Sequence, residues 1–262
     1  MSTVHAPAPA RSATSTPPVL LTDLVRVELR KLVDTRAGVW LHATVALLCA
    51  AVAAAAFALP AEEVVGTAFV AYGGAVASLL LPVTAILALT TEWSQGSVLT
   101  SFVLVPHRSR VVGAKLVAIL ASATVFSAFV LALAALATPL ARALVGAPAG
   151  RWDVGVEHSL TLWLGIVLSM LMGAAFGALV MNPAGAIVVY LVLPFAWSVV
   201  GQLVDGADDV AQWLDTSITY SRLLEGAVET GGQWQQIAVS TLVWVLLPLA
   251  AGLVRLGRRE VR

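Results

Sequence analysis

The chain has little charge. Only 11% of its 262 residues are Asp, Glu, Lys or Arg, where a soluble domain carries roughly a quarter. Together with 59% hydrophobic residues and a mean hydropathy of +0.91, this excludes an ordinary water-soluble domain and indicates an integral membrane protein. Cysteine is almost missing. Cys49 stands alone, so neither an intrachain disulfide nor a cysteine metal cluster can form. Lysine is scarce as well, with Lys31 and Lys115 against thirteen arginines. That bias, with abundant Ala and Val, fits a GC-rich bacterial genome.

Catalytic patterns are missing too. No G-x-x-x-x-G-K-[ST] occurs, so the chain has no P-loop for ATP. There is no H-E-x-x-H. Glu62-Glu63 is a paired glutamate, but no arginine follows at the distance a paired-glutamate membrane protease needs. His42, His107 and His158 are far apart and lie near the ends of apolar runs, which reads as satisfied interfacial histidines and not as metal ligands. Ser78, Thr84, Ser122, Thr124, Ser127 and Ser169 have no base nearby in sequence and read as helix–helix contacts. An enzyme is therefore the least favoured class, and no metal or cofactor is expected in this chain. No ionisable residue falls deep inside an apolar run, which argues against proton or sodium coupling. Formal net charge is zero, and nothing suggests nucleic acid as a partner.

What is present is a series of apolar runs. A bilayer core needs about 20 apolar helical residues. Six segments qualify: 38–59, 64–89, 111–138, 160–180, 184–204 and 236–256. The second and third are long and should tilt. Pro82, Pro194 and Pro248 are expected to kink their helices. Between the fourth and fifth, Asn182 is placed to cap a helix that Pro183 opens. Gly173 and Gly177 form a G-x-x-x-G, which chance explains better than packing in a chain this rich in small residues. The expected organisation is a disordered, proline-rich tail (1–19), an amphipathic interfacial helix (20–37), a six-span domain (38–256) and a basic tail (257–262). The fold class is an all-α integral membrane protein.

Charges orient it. Twelve of the fifteen basic residues fall on one side: before the first run, between the second and third or in the first turns of the third, and at or after the end of the sixth. The positive-inside rule puts those segments, and both termini, in the cytoplasm. Ten of the fifteen acids lie on the other side. The larger external loop, 205–235, has apolar stretches at 210–214 and 218–224, suited either to short interfacial helices over the exit or to a solvated acidic loop.

Two segments on the basic side are unusual. Residues 20–39 carry an apolar stripe (Leu20, Leu21, Leu24, Val27, Leu32) beside Asp23, Arg26, Arg30, Lys31 and Asp34, the pattern of a helix on a membrane face. Residues 90–115 form a polar island. Within it, Ser97–Val105 can make a short helix with Val98, Leu99, Phe102 and Val105 on one face, which Pro106 ends. A solvated loop has no use for such a face, so it should meet a protein or lipid.

These two segments resemble those of the permease subunits of ABC-2 type transporters, particularly the small bacterial six-span ones. The likeness rests on Val27-Glu28-Leu29-Arg30-Lys31-Leu32 with Thr35-Arg36 before the first span. It rests equally on Glu92, Gly96, Pro106-His107-Arg108 and Lys115 between the second and third. From the fourth span onward it is one of hydropathy only. The resemblance implies a subunit of a bacterial inner-membrane exporter that pairs with a second permease, identical or not, and with two copies of a separate ATPase that holds ATP and Mg. It implies that Glu28, Arg30, Lys31 and Arg36 belong to a connecting helix. Glu92, Gly96, Val98, Leu99, Phe102, Pro106, Arg108 and Lys115 would then form the ATPase-coupling element, with Arg108 and Lys115 meeting ATPase acids or phospholipid heads. A non-transporting anchor that recruits a cytoplasmic partner is the alternative.

Overall fold

The computed structural model describes residues 20–94, 108–203 and 207–258, and every regular element among them is helical. In chain order these are α1 (Leu21–Asp34), α2 (Arg36–Ala55, continued by a 3-10 turn, Ala56–Ala58), α3 (Gly66–Ser94), α4 (Arg108–Val145), α5 (Val156–Val180) and α6 (Pro183–Leu203). Then come α7 (Ala207–Leu214), α8 (Thr216–Leu224), α9 (Gly231–Thr241), a π-helical turn (Leu242–Leu246) and α10 (Leu247–Arg258). The expected tail at 1–19 lies outside the described residues.

Five helical stretches are long and apolar enough to cross a bilayer: Arg36–Ala58, Gly66–Thr91, Arg110–Val145, Val156–Val180 and Gly231–Arg255. They match five of the six expected spans and make the chain a multi-pass membrane protein by length and composition. The remaining expected span, at 184–204, falls on α6, a helix of 21 residues, of which Pro183–Leu193 is the apolar stretch among the described residues. The turn before α6 is as the sequence suggested. Met181 ends α5 in the left-handed conformation, the Asn182 Oδ1 accepts from the Gly185 N–H at 2.9 Å, and Pro183 opens the helix.

The spans do not share the interior equally. The apolar window of α5 is 67% buried and that of α3 56%, against 22–28% for the other three. The bundle is therefore built around an α3–α5 pair, and the remaining helices turn most of their surface outward. Gly173 and Gly177 make this pair close. A methyl on Gly173 would lie 2.5 Å from the Pro82 carbonyl oxygen, and one on Gly177 would lie 3.2 Å from that of Ile86. The G-x-x-x-G is thus a packing face, contrary to its reading as chance: hydropathy cannot tell a glycine that faces lipid from one that faces a backbone.

The third expected span was to stop at Thr138. Instead α4 runs through Pro139 to Val145. One face of its last turns meets the following loop: Ala141 is fully buried, and Gly150 approaches Arg142 so closely that a methyl there would lie 2.5 Å from its backbone nitrogen. Packing of this kind sustains a helix past a proline.

At the end carrying most acids, the α2–α3 and α4–α5 loops are tied together. The Gly150 N–H donates to the Val64 carbonyl (2.8 Å) and the Gly66 N–H to that of Arg151 (3.0 Å). Asp153 caps α3 by accepting from the Thr67 N–H (2.8 Å) and hydroxyl (3.0 Å). The region after α6 is helical, not a solvated loop. Asp215 caps α8 through the Ser217 N–H at 2.8 Å. Tyr220, Leu223 and Leu224 are buried, with Leu224 against Gly74 and Gly165. Burial pushes the Tyr220 phenol up to about 12. Both described histidines have hydrogen-bond partners, as expected. His42 reaches the Gly38 carbonyl at 2.8 Å and the Ser122 hydroxyl at 3.3 Å, and His158 reaches the Leu224 carbonyl at 2.9 Å.

Candidate functional site

At the opposite end, where the basic residues gather, α1 and α2 meet at a sharp elbow. Thr35 breaks the helix with an extended backbone, and its hydroxyl oxygen accepts from the Gly38 N–H at 3.0 Å, restarting the chain as α2. Thr is a favoured cap because it satisfies a donor that the first helical turn leaves unpaired. Gly38 sits inside the bend, where a methyl would lie 2.0 Å from the Leu32 carbonyl oxygen. Only glycine allows so close an approach. The elbow turns α1 back onto α4.

Only part of the expected apolar stripe of α1 faces the bundle. Leu32 is buried, but Leu20, Leu21 and Val27 are exposed. At the centre of the inward face is an acid, Glu28, only 6% exposed. Its carboxylate accepts from two ammonium groups: Lys31 Nζ on Oε1 at 2.8 Å and Lys115 Nζ on Oε2 at 3.0 Å. Lys115 also donates to the Ala88 carbonyl of α3 at 3.0 Å. One ammonium therefore joins α1, α3 and α4.

The two ion pairs are unequal. The Lys31 side chain is 45% exposed, and a solvated pair of this kind contributes about 0–1 kcal/mol. The side chains of Lys115 and Glu28 are 7% and 8% exposed. Desolvating both offsets most of their attraction, whereas removing one partner typically costs roughly 3–5 kcal/mol. Such a pair adds little to net stability, but it specifies strongly where α1 lies.

The node sits at the base of the island. Six residues of α3 follow Ala88 and seven of α4 precede Lys115. At 1.5 Å per residue each helix continues for about 10 Å beyond the node. Segment 95–107 thus hangs from two helix ends that are clamped to each other and to α1. Of the residues singled out in sequence, Glu28, Lys31 and Lys115 come together here. Arg30 and Arg36 are exposed on α1 and at the start of α2. Glu92 lies in the last turn of α3 and Arg108 begins α4. Gly96, Val98, Leu99, Phe102 and Pro106 lie outside the described residues, as does His107. Lys115 does not reach outward as expected, for its ammonium is engaged within the chain. Among the described residues no group of His, Cys, Asp and Glu could hold a metal ion.

Sequence reasoning selected Glu28 and Lys115 separately and missed that they pair. A signal was available. Leu24, Glu28 and Leu32 are spaced by four, so the acid stands on an apolar face, and Lys115 is the one lysine within an apolar run. A buried acid needs a cation. No protein-family model matches the chain, and no curated protein matches it.

Proposed function

We propose that the chain is the membrane-spanning permease subunit of an ABC-2 type exporter in a bacterial inner membrane. It would cross the bilayer six times with both termini in the cytoplasm, as one half of a permease dimer, and be driven by ATP hydrolysis in a separate ATPase. The observation that carries this is the Lys115 node. Two spanning helices and an amphipathic helix are clamped together about 10 Å from the ends that lead into the segment containing Val98, Leu99 and Phe102. A push on that segment would reach α1, α4 and the part of α3 that holds the Ala88 carbonyl together, which suits an element worked by a nucleotide-driven partner. The charge asymmetry supports the same orientation.

Reconstituted with the ATPase from its own host, the chain is expected to stimulate ATP hydrolysis. Glu92→Ala and Arg108→Glu should abolish that stimulation while leaving membrane insertion intact. Full stimulation in both variants would remove the coupling role from these residues. Binding of a cytoplasmic protein without ATP turnover would instead identify an anchor.

A further inference from the structure

The middle of α3 contains a backbone defect and an outside group that repairs it. Pro82 lies inside the helix, so residue 82 has no N–H to give to the carbonyl four positions earlier. That carbonyl belongs to Ser78. In an apolar interior an unpaired carbonyl is strongly disfavoured. Here it accepts instead from the hydroxyl of Tyr190 on α6, at 2.7 Å. Tyr190 is 7% exposed, with its ring in a cluster that includes Ile86, Met172 and Phe176. Two further hydroxyls bracket the proline. Ser78 Oγ donates to the Ala75 carbonyl at 3.0 Å, and Thr84 Oγ1 to that of Leu81 at 2.6 Å. Side chains bonded back in this way bend helices. On the other flank, Gly173 lets the α5 backbone lie directly against Pro82.

We propose that α3 hinges at Pro82 and that the Tyr190 hydroxyl, bonded to the Ser78 carbonyl, is the latch holding the two halves of the helix in the observed arrangement. The half of α3 beyond the hinge, 83–94, contains the Ala88 carbonyl on which Lys115 rests. Releasing the latch therefore frees the half that leads into the island, while the outer half stays anchored by the Asp153 cap. Tyr190 acts here as a positioning residue. This inference does not depend on the permease assignment, since the hinge is a property of the isolated chain.

The test is a mutant cycle in the full chain, read by the distance between spin labels at Tyr72→Cys and Thr91→Cys in a Cys49→Ser background. Tyr190→Phe keeps the ring and removes only the hydroxyl. It should broaden the label-to-label distribution at least twofold. Pro82→Ala restores an N–H for Ser78, so Tyr190→Phe should have no effect on the width in the Pro82→Ala background. An unchanged width in Tyr190→Phe overturns the proposal, as does equal broadening with and without Pro82. If Tyr190→Phe alone fails to fold, folding of the double variant supports the latch. Failure of both overturns the proposal, because the hydroxyl is then needed whether or not Pro82 leaves the Ser78 carbonyl without a donor.

Discussion

A single ammonium, Lys115 Nζ, joins three helices through Glu28 and the Ala88 carbonyl. Lys115→Met leaves the Glu28 carboxylate buried beside a weaker, half-exposed partner, and should destabilise the detergent-solubilised protein by roughly 3–5 kcal/mol. Lys31→Ala should cost only about 0.2–1 kcal/mol. Replacing both charges, with Glu28→Leu and Lys115→Met, should recover most of the loss, because apolar pairs often substitute for buried ion pairs without penalty. Thermal unfolding of the four proteins checks the order. Equal shifts for Lys31→Ala and Lys115→Met would mean that the Glu28–Lys115 contact is not the dominant one. At this scale the sequence was half legible. The family resemblance singled out Glu28 and Lys115, each in its own segment. It could not join residues 87 positions apart, because a pairing across elements is set by how helices dock and not by local pattern. Tyr190 was invisible for the same reason. Its role depends on a carbonyl in α3 that lacks a donor only because Pro82 follows four residues later.

Among the elements, the apolar runs were easy to find and their ends were not. Length and hydropathy located α2 to α6 and the final span, since a bilayer demands nearly continuous apolar sequence. The end of α4 was placed at Thr138, where the continuous apolar run stops, whereas the helix goes on to Val145 with one face against the loop at Gly150. The α3–α5 contact shows why glycines resist interpretation in a small-residue-rich chain. Gly173 touches a backbone, while nothing lies within 4 Å of a methyl built on Gly113 of α4. Gly173→Ala should therefore destabilise by about 1–3 kcal/mol, as overpacking does. Gly113→Ala should be neutral or stabilise by roughly 0.5–1 kcal/mol, because alanine is the better helix former. Both are measured by the same unfolding assay, and a larger loss at Gly113 would contradict the packing described.

For the whole molecule, one asymmetry organises both structure and proposed action. The acidic end is closed by loop-to-loop hydrogen bonds, the Asp153 cap and the inserted α8. At the basic end α1 folds back on the bundle and two helices run on past the Lys115 node. That end leads into segment 95–107. The central claim is that this segment docks on an ATPase and not on lipid. A photoreactive amino acid at Phe102, activated in membranes of the native host, tests this directly. The account predicts a crosslink to a protein carrying a G-x-x-x-x-G-K-[ST] nucleotide-binding loop; crosslinks confined to phospholipid would contradict it.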